Sequence, residues 1–422
     1  MSSVNNNIEN YKNTRHRSKV LVVSYAFPPL QVQMSHVVFK FMAALSQIGY
    51  QVDLICADKF SKEIPDDKSL LKYESQYFSH VWRLNPRVTR DTIFRKIWKK
   101  FKFKPDLMSE LNAELYSFLA KIDLDEYDAV ISWSPFHSIN LVLTRLKRSN
   151  PKFRWIAIFG DPWTGNPLEK NKARNLWNAY HEPKAVGAVD EIVHTSSYSM
   201  ELMALKYGQN IVNKLSVMPH AYVPQLYPQR QKKINDKIVL RYVGVLYGRR
   251  SPEPLFSALA ELFNRRPDLK GTVVLELVGD MPKEMLYSSA ARELPNGCIK
   301  HVQAVEYLKS LELMYDADIL VLIEADVRSN LFLASKVADY LGANTPIIGL
   351  VPQGASEDIM TRLGSWFCRP NEIFKISNHL ESAIDHVSDK RGNDWCDEDY
   401  RREFNALNVI KKLDYIIKEP VK

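Results

Sequence analysis

The chain has 422 residues, more than one ordinary domain and suited to two of about 150–200 residues each. With 45% hydrophobic and 25% charged residues, its composition is that of a globular protein and excludes a disordered or low-complexity chain. The net charge of +8 is local: residues 83–104 hold nine basic residues and one acidic one, and the rest balances. A uniformly basic, nucleic-acid-coating protein is thereby excluded, and nucleic acid is not an expected partner.

Residues 1–18 are Asn-rich and then basic, without the apolar core of a signal peptide, and read as a flexible tail. Residues 19–24 are a short run rich in β-branched side chains, the pattern of a buried strand. Val37, Val38, Phe41, Met42, Leu45 and Ile48 then recur at helical spacing, with Gly49 as the stop signal. A second strand over 51–56 completes a βαβ unit and predicts a parallel sheet. Further strands are predicted over 128–133, 154–159, 191–195 and 215–218. Residues 223–236 carry two prolines and little apolar content, the composition of a linker. A second series follows, with strands over 238–243, 272–278, 299–302, 319–323 and 346–350 and helices over 252–265 and 305–316. Residues 399–418 read as one closing helix. The expected fold is α/β, with two tandem Rossmann-like doubly wound domains, 19–222 and 237–395, facing across a cleft.

In such sheets ligands sit beyond the carboxyl ends of the strands, so the residues after each strand carry the chemistry. No GxGxxG or GxxxxGK[ST] follows any strand, which disfavours a dinucleotide oxidoreductase or a P-loop NTPase. Ser134-Pro-Phe-His137 follows one predicted strand and Asp161-Pro-Trp163 the next. In the second series the first strand runs into Gly244-Val-Leu-Tyr-Gly-Arg-Arg-Ser-Pro252. Gly244 permits close backbone approach to a ligand, and Arg249 and Arg250, before a predicted helix start, fit a diphosphate. The bland alternative is a solvated arginine pair. Lys336 is a second candidate phosphate cation, and Asp339, one helical turn on, can accept hydrogen bonds from sugar hydroxyls.

Four strings in order, Ser24-Tyr-Ala-Phe-Pro-Pro29, Phe159-Gly-Asp-Pro-Trp163, Gly244 to Pro252, and Lys336-Val-Ala-Asp-Tyr340 with Pro346, resemble the GT-B glycosyltransferases, specifically the retaining, nucleotide-sugar-dependent family 4. The resemblance runs from about residue 19 to about residue 411. It implies donor binding by the second domain, through Gly244, Arg249, Arg250, Lys336 and Asp339, and acceptor binding by the first. The donor would be a UDP- or GDP-linked sugar, with no obligatory metal, and residues 396–422 would cross back to the first domain. The chain departs from the family pattern at Gln31-Val-Gln-Met-Ser35, where a glycine pair is usual, and at His220-Ala221, where Asn-Gly is usual. Leu331 stands where the first glutamate of the donor motif is usual.

On this resemblance Asp161 and His137 are the candidate catalytic or acceptor-positioning residues, against the alternatives of a simple turn and a structural histidine. Trp163 reads as a packing residue. The basic window contains Ile93, Phe94, Ile97, Trp98 and Phe101 on one helical face with Arg95, Lys96, Lys99, Lys100 and Lys102 around it. That pattern suits a helix lying on an anionic membrane through residues 90–104; the alternative is a helix packed on the sheet with solvated lysines. The four cysteines form no CxxC pair, which argues against a zinc ribbon or disulfide framework and fits a reducing compartment. The expectation is a cytoplasmic glycosyltransferase, peripheral at the cytoplasmic face of the inner membrane, acting on a lipid-linked cell-surface glycan. A nucleotide-sugar epimerase or hydrolase on the same fold, and a catalytically silent glycan- or partner-binding scaffold, are the alternatives.

Overall fold

Short β-branched runs alternating with amphipathic helices build two parallel sheets. The computed structural model describes residues 18–58, 65–85, 106–165, 171–389 and 394–419. The basic window at 90–104 lies outside the described residues. In the first half the strands are β1 (Lys19–Val23), β2 (Gln51–Ala57), β3 (His80–Leu84), β4 (Ala129–Ser134), β5 (Trp155–Phe159), β6 (Glu191–His194) and β7 (Leu215–Val217). They pair in parallel in the order β3-β2-β1-β4-β5-β6-β7. In the second half they are β8 (Ile238–Val243), β9 (Val273–Val278), β10 (Ile299–Val302), β11 (Ile319–Ile323), β12 (Ser329–Asn330), β13 (Ile347–Leu350), β14 (Gln353–Gly354) and β15 (Trp366–Cys368). The main sheet runs β10-β9-β8-β11-β13-β15, and β12 and β14 form a separate two-residue ladder.

The order reverses between β1 and β4 in one sheet and between β8 and β11 in the other. These are the switch points where adjacent crossovers leave on opposite faces and open a crevice at the carboxyl edge. Residues after β4, β8 and β11 therefore occupy the positions where a ligand fits.

Two expectations need correction. The closing helix is two helices, Glu398–Glu403 and Ala406–Lys418, because Phe404 leaves helical register and the Asn405 side chain accepts from the Leu407 amide at 3.0 Å as a new N-cap. The predicted linker is only partly solvated: Pro224–Leu226 forms a turn, and Leu226 and Tyr227 are buried.

The helix Gln33–Gln47 was expected to bury one face. It buries Phe39 and Lys40 as well, while Ile48 is left exposed. Phe39 is covered by Phe27, Tyr77 and Phe78, and Lys40 by Asp339 and Tyr307 from the second half; a further layer covers the rest of Gln33–Gln47. The helix Ala406–Lys418 packs against it, with Val409, Ile410, Leu413, Ile416 and Ile417 buried. Tyr50 Oη donates to Asp414 at 2.8 Å, and the Arg154 guanidinium donates to the Ile417 carbonyl at 3.3 Å. Each of those five apolar side chains contributes about 1.5–3 kcal/mol of burial, so this helix is structural.

Candidate functional site

At the switch point of the second sheet, β8 ends and the chain turns through Gly244 with φ +138. A side chain there would collide with the Lys336 ammonium, so glycine is what lets that cation reach the strand end. Lys336 is the second residue of the helix Ser335–Ala343. A cation at a helix N-terminus opposes the macrodipole, an arrangement suited to an anion between them. Its Nζ donates to Tyr242 Oη at 2.6 Å and lies 4.2 Å from the centre of that ring. Burial, and then the neighbouring Arg250, push the Lys336 ammonium well below the usual lysine range, with Glu324 opposing. The Arg250 guanidinium lies 5.2 Å from the Tyr247 ring centre, and its buried Nε has no hydrogen-bond partner. Among the described residues, no carboxylate stands within ion-pair distance of Arg249, Arg250 or Lys336. Arg249 is exposed and separates from Arg250. It lines an adjacent pocket of about 470 Å3 with Ser251, Glu253, Glu324 and Asp326.

The first-half residues form a second group. His137, after β4, stacks on Trp163 with ring centres 5.1 Å apart and meets Phe159 edge-on. His194, the last residue of β6, meets Phe159 from the neighbouring strand, in register with it. Burial holds both imidazoles neutral, His137 down to about 3 and His194 to about 4, with the Asp161 backbone opposing the shift at His137. The ring nitrogens of both lack a well-formed hydrogen bond. The Asp161 carboxylate has no partner among the described residues, and burial raises its pKa. Trp163 is a packing residue: it is buried and donates from Nε1 to Asn178 at 3.0 Å. His220 is buried too and held near 3 by burial, then by the Lys40 charge.

The two groups are brought edge to edge. The Leu331 carbonyl accepts from Ser196 Oγ at 2.6 Å and Ser199 Oγ at 3.0 Å, and the Gln33 amide donates to Ser335 Oγ. Asp339 does not join either group. Its Oδ1 accepts from Lys40 Nζ at 2.6 Å and from Tyr307 Oη at 2.8 Å, in a seam between the halves where Lys40 is 1% and Asp339 7% exposed. The carboxylate expected at a sugar hydroxyl is thus engaged across the seam. Beside it, His36 stacks on Tyr307 with ring centres 4.0 Å apart, and Asp67 accepts from the Tyr307 amide at 2.6 Å. Burial raises the Asp67 pKa, but hydrogen bonds from His36, Ser69 and Tyr307 outweigh it and hold the carboxyl well below the ordinary range.

Sequence reasoning missed Glu324, Lys40 and His194. Glu324 carried a readable signal, a carboxylate directly after the all-apolar run Ile319–Ile323. Lys40 and His194 carried none, since each lies inside an apolar element.

Two parallel α/β sheets, each with a switch point, match the GT-B architecture, and solved structures agree. Over 95% of this chain and 99% of the other, it superposes on Anabaena HepE, solved in complex with UDP and glucose, with a TM-score of 0.64 at 13% identity. It is likewise similar to the sucrose-phosphate synthase of Thermosynechococcus elongatus, TM-score 0.65 at 15% identity, covering 95% of this chain and 98% of that one. The lipopolysaccharide outer core galactosyltransferase WaaB gives a TM-score of 0.58 at 14% identity, over 94% and 99% of the two chains. The chain therefore has the GT-B fold. No family model matches it, and a search of curated proteins returns no significant match.

Proposed function

We propose that the protein is a glycosyltransferase that moves a sugar from a nucleoside-diphosphate sugar to a hydroxyl of a lipid-linked cell-surface glycan, with retention of anomeric configuration. The observation that carries this reading is the convergence of Lys336 and Arg250 on the Gly244 turn, two basic side chains with no described carboxylate at ion-pair distance, in a fold whose relatives include one solved with UDP and glucose. Those cations would stabilise charge developing on the leaving diphosphate, the largest electrostatic demand of such a transfer. Asp161 and His137, on the facing edge, would orient the acceptor hydroxyl. The hydroxyl oxygen attacks the anomeric carbon, the carbon–phosphate-oxygen bond breaks, and the hydroxyl proton passes to the departing phosphate on the same face. A UDP- or GDP-linked donor satisfies the same cations.

The test is calorimetric titration with UDP, GDP and UDP-glucose. Binding of at least one is expected, and Arg250→Ala should weaken it by roughly tenfold or more at an unchanged melting temperature. Absence of binding by all three would leave the silent-scaffold reading; turnover of UDP-glucose without acceptor would leave the epimerase or hydrolase. The membrane association is a proposal on residues 90–104, and replacing Lys96, Lys99 and Lys100 with Glu should release the protein from anionic vesicles. Retention on the vesicles would refute it. Among the described residues, no helix is long and apolar enough to cross a membrane, and no cluster of three or more metal-ligating side chains occurs.

A further inference from the structure

The helix Lys172–Ala188 buries polar residues and exposes apolar ones. Its inward side holds Asn178 and Glu182 beside Ala185 and Val186, all buried. Asn178 accepts from Trp163 Nε1 at 3.0 Å, and Glu182 accepts from Tyr207 Oη at 2.9 Å and from Lys206 Nζ. On the outward side Leu176, Ala179, Tyr180 and Pro183 recur at helical spacing and are exposed, Leu176 at 75% and Tyr180 at 64%. A helix that faces only water turns its polar residues outward. One exposed leucine would need no explanation, but an apolar face whose helix has its carboxylate turned inward does.

The charge on this side of the first half has one sign. The helix Ser138–Ser149 packs beside Lys172–Ala188. Together they carry Arg145, Lys147, Arg148, Lys172, Arg174 and Lys184 against one acid, the buried Glu182. Lys147 is paired with Asp190, whereas Arg145, Arg148 and Lys172 are exposed. Lys172 stands one turn before Leu176 on the apolar stripe, and Lys184 Nζ lies 3.2 Å from the centre of the Tyr180 ring.

We propose that the outward face of Lys172–Ala188 is a contact surface for an anionic phospholipid bilayer, with Leu176 and Tyr180 entering the interface and Lys172 and Lys184 at headgroup level. This inference rests on the membrane association proposed above and extends it from residues 90–104 to a described element. An interfacial helix buries an apolar face shallowly and keeps its cations beside the headgroups, which is the arrangement here. A second copy of the chain fits less well, because a two-fold contact would set this positive surface against itself. A nucleic acid would answer the charge and leave Leu176 and Ala179 unburied. The helix also starts at the right place. It follows β5, and Trp163, which stacks on His137, bonds to its Asn178. A bilayer on this face therefore lies beside the edge that carries His137 and Asp161, where a lipid-borne hydroxyl would arrive. Asp106, where the described residues resume after the basic window, accepts from the Ser138 amide at 2.8 Å and from Ser138 Oγ at 2.9 Å. The chain thus leaves that window at the first residue of the neighbouring helix.

The test is co-sedimentation of the full chain with vesicles of phosphatidylglycerol and phosphatidylethanolamine, with phosphatidylcholine vesicles as the neutral control. Wild type should bind the anionic vesicles and leave the neutral ones. Leu176→Gln with Tyr180→Gln should weaken that binding roughly tenfold or more at an unchanged melting temperature, since both side chains point into solvent. Lys172→Gln with Lys184→Gln tests the charge separately and should cost roughly fivefold per lysine, an effect that added salt erases. Vesicle binding unchanged in both variants, while Glu at positions 96, 99 and 100 releases the protein, would overturn this face and leave the membrane association standing. Failure of the wild type to bind either vesicle would overturn both. A wild-type dimer that the Leu176 and Tyr180 variant splits, seen by sedimentation, would give the face to a second copy and overturn the lipid assignment. So would oligonucleotide binding that the same variant abolishes.

Discussion

At the scale of single residues, the ionisable groups buried without counter-charges decide how the protein responds to acid. His137, His194 and His220 are kept neutral in the fold, near 3, 4 and 3, chiefly by burial. Above the ordinary histidine value of about 6.5 they cost nothing. Below it the unfolded chain takes up three protons that the native state refuses, so stability falls by about 4 kcal/mol per pH unit down to roughly pH 4. Asp67, whose folded pKa is depressed, adds stability that is present above the carboxylate range and lost only at still lower pH. Urea unfolding at pH 7.5, 6 and 5 should show the decline beginning near 6.5; a flat profile would mean the imidazoles are not held neutral. The Lys40–Asp339 pair gives a separate expectation. Asp339→Asn leaves a buried ammonium with only neutral partners and should cost about 3–5 kcal/mol, whereas Lys40→Met with Asp339→Leu should recover much of it. A loss in the double variant equal to the sum of the two single losses would show that the two residues do not couple.

At the scale of elements, two glycines with positive φ test the donor edge differently. Gly244→Ala aims its methyl at the tip of Lys336, a flexible group that can retreat, so nucleotide affinity should fall while the fold survives with a loss of about 1–3 kcal/mol from backbone strain. Gly279→Ala aims its methyl at the Gly244 carbonyl, which is backbone and cannot yield, so soluble protein should largely disappear. Similar yields for the two would contradict this distinction. The strand ends were legible in the sequence because an apolar run stops abruptly where the sheet does. The same pattern puts Gly244, Arg250, His137 and Asp161 after strand ends. Edge strands were harder: β3 is His80-Val-Trp-Arg-Leu84 and only its last residue is buried, so it shows no continuous apolar run. The fate of Asp339 was not legible at all. Its partner lies on a helix near the start of the chain, flanked by Phe39 and Phe41, and a lysine there reads as the polar face of an amphipathic helix. Only the arrival of the second half, with Asp339 and Tyr307, covers it.

At the scale of the whole molecule, the helix Ala406–Lys418 packs as part of the first half although it follows the second half in sequence. Removing residues 406–422 would expose the apolar surface of Gln33–Gln47 and the five side chains that cover it. The truncated chain should aggregate or melt far below the full-length protein, as circular dichroism would show; a soluble truncation with an unchanged melting temperature would contradict the packing.

The chain passes between the halves at Tyr222 and returns at Asn405, and these two passages are bonded to each other. The Tyr222 amide donates to the Phe404 carbonyl at 2.9 Å, and the Ala406 amide donates to the Tyr222 carbonyl at 2.8 Å. Two covalent connections tied side by side act as an axle, not as a pair of separate tethers. An opening of the halves that keeps these two bonds has to turn about that line and break seam contacts such as Lys40–Asp339 and Ser196–Leu331.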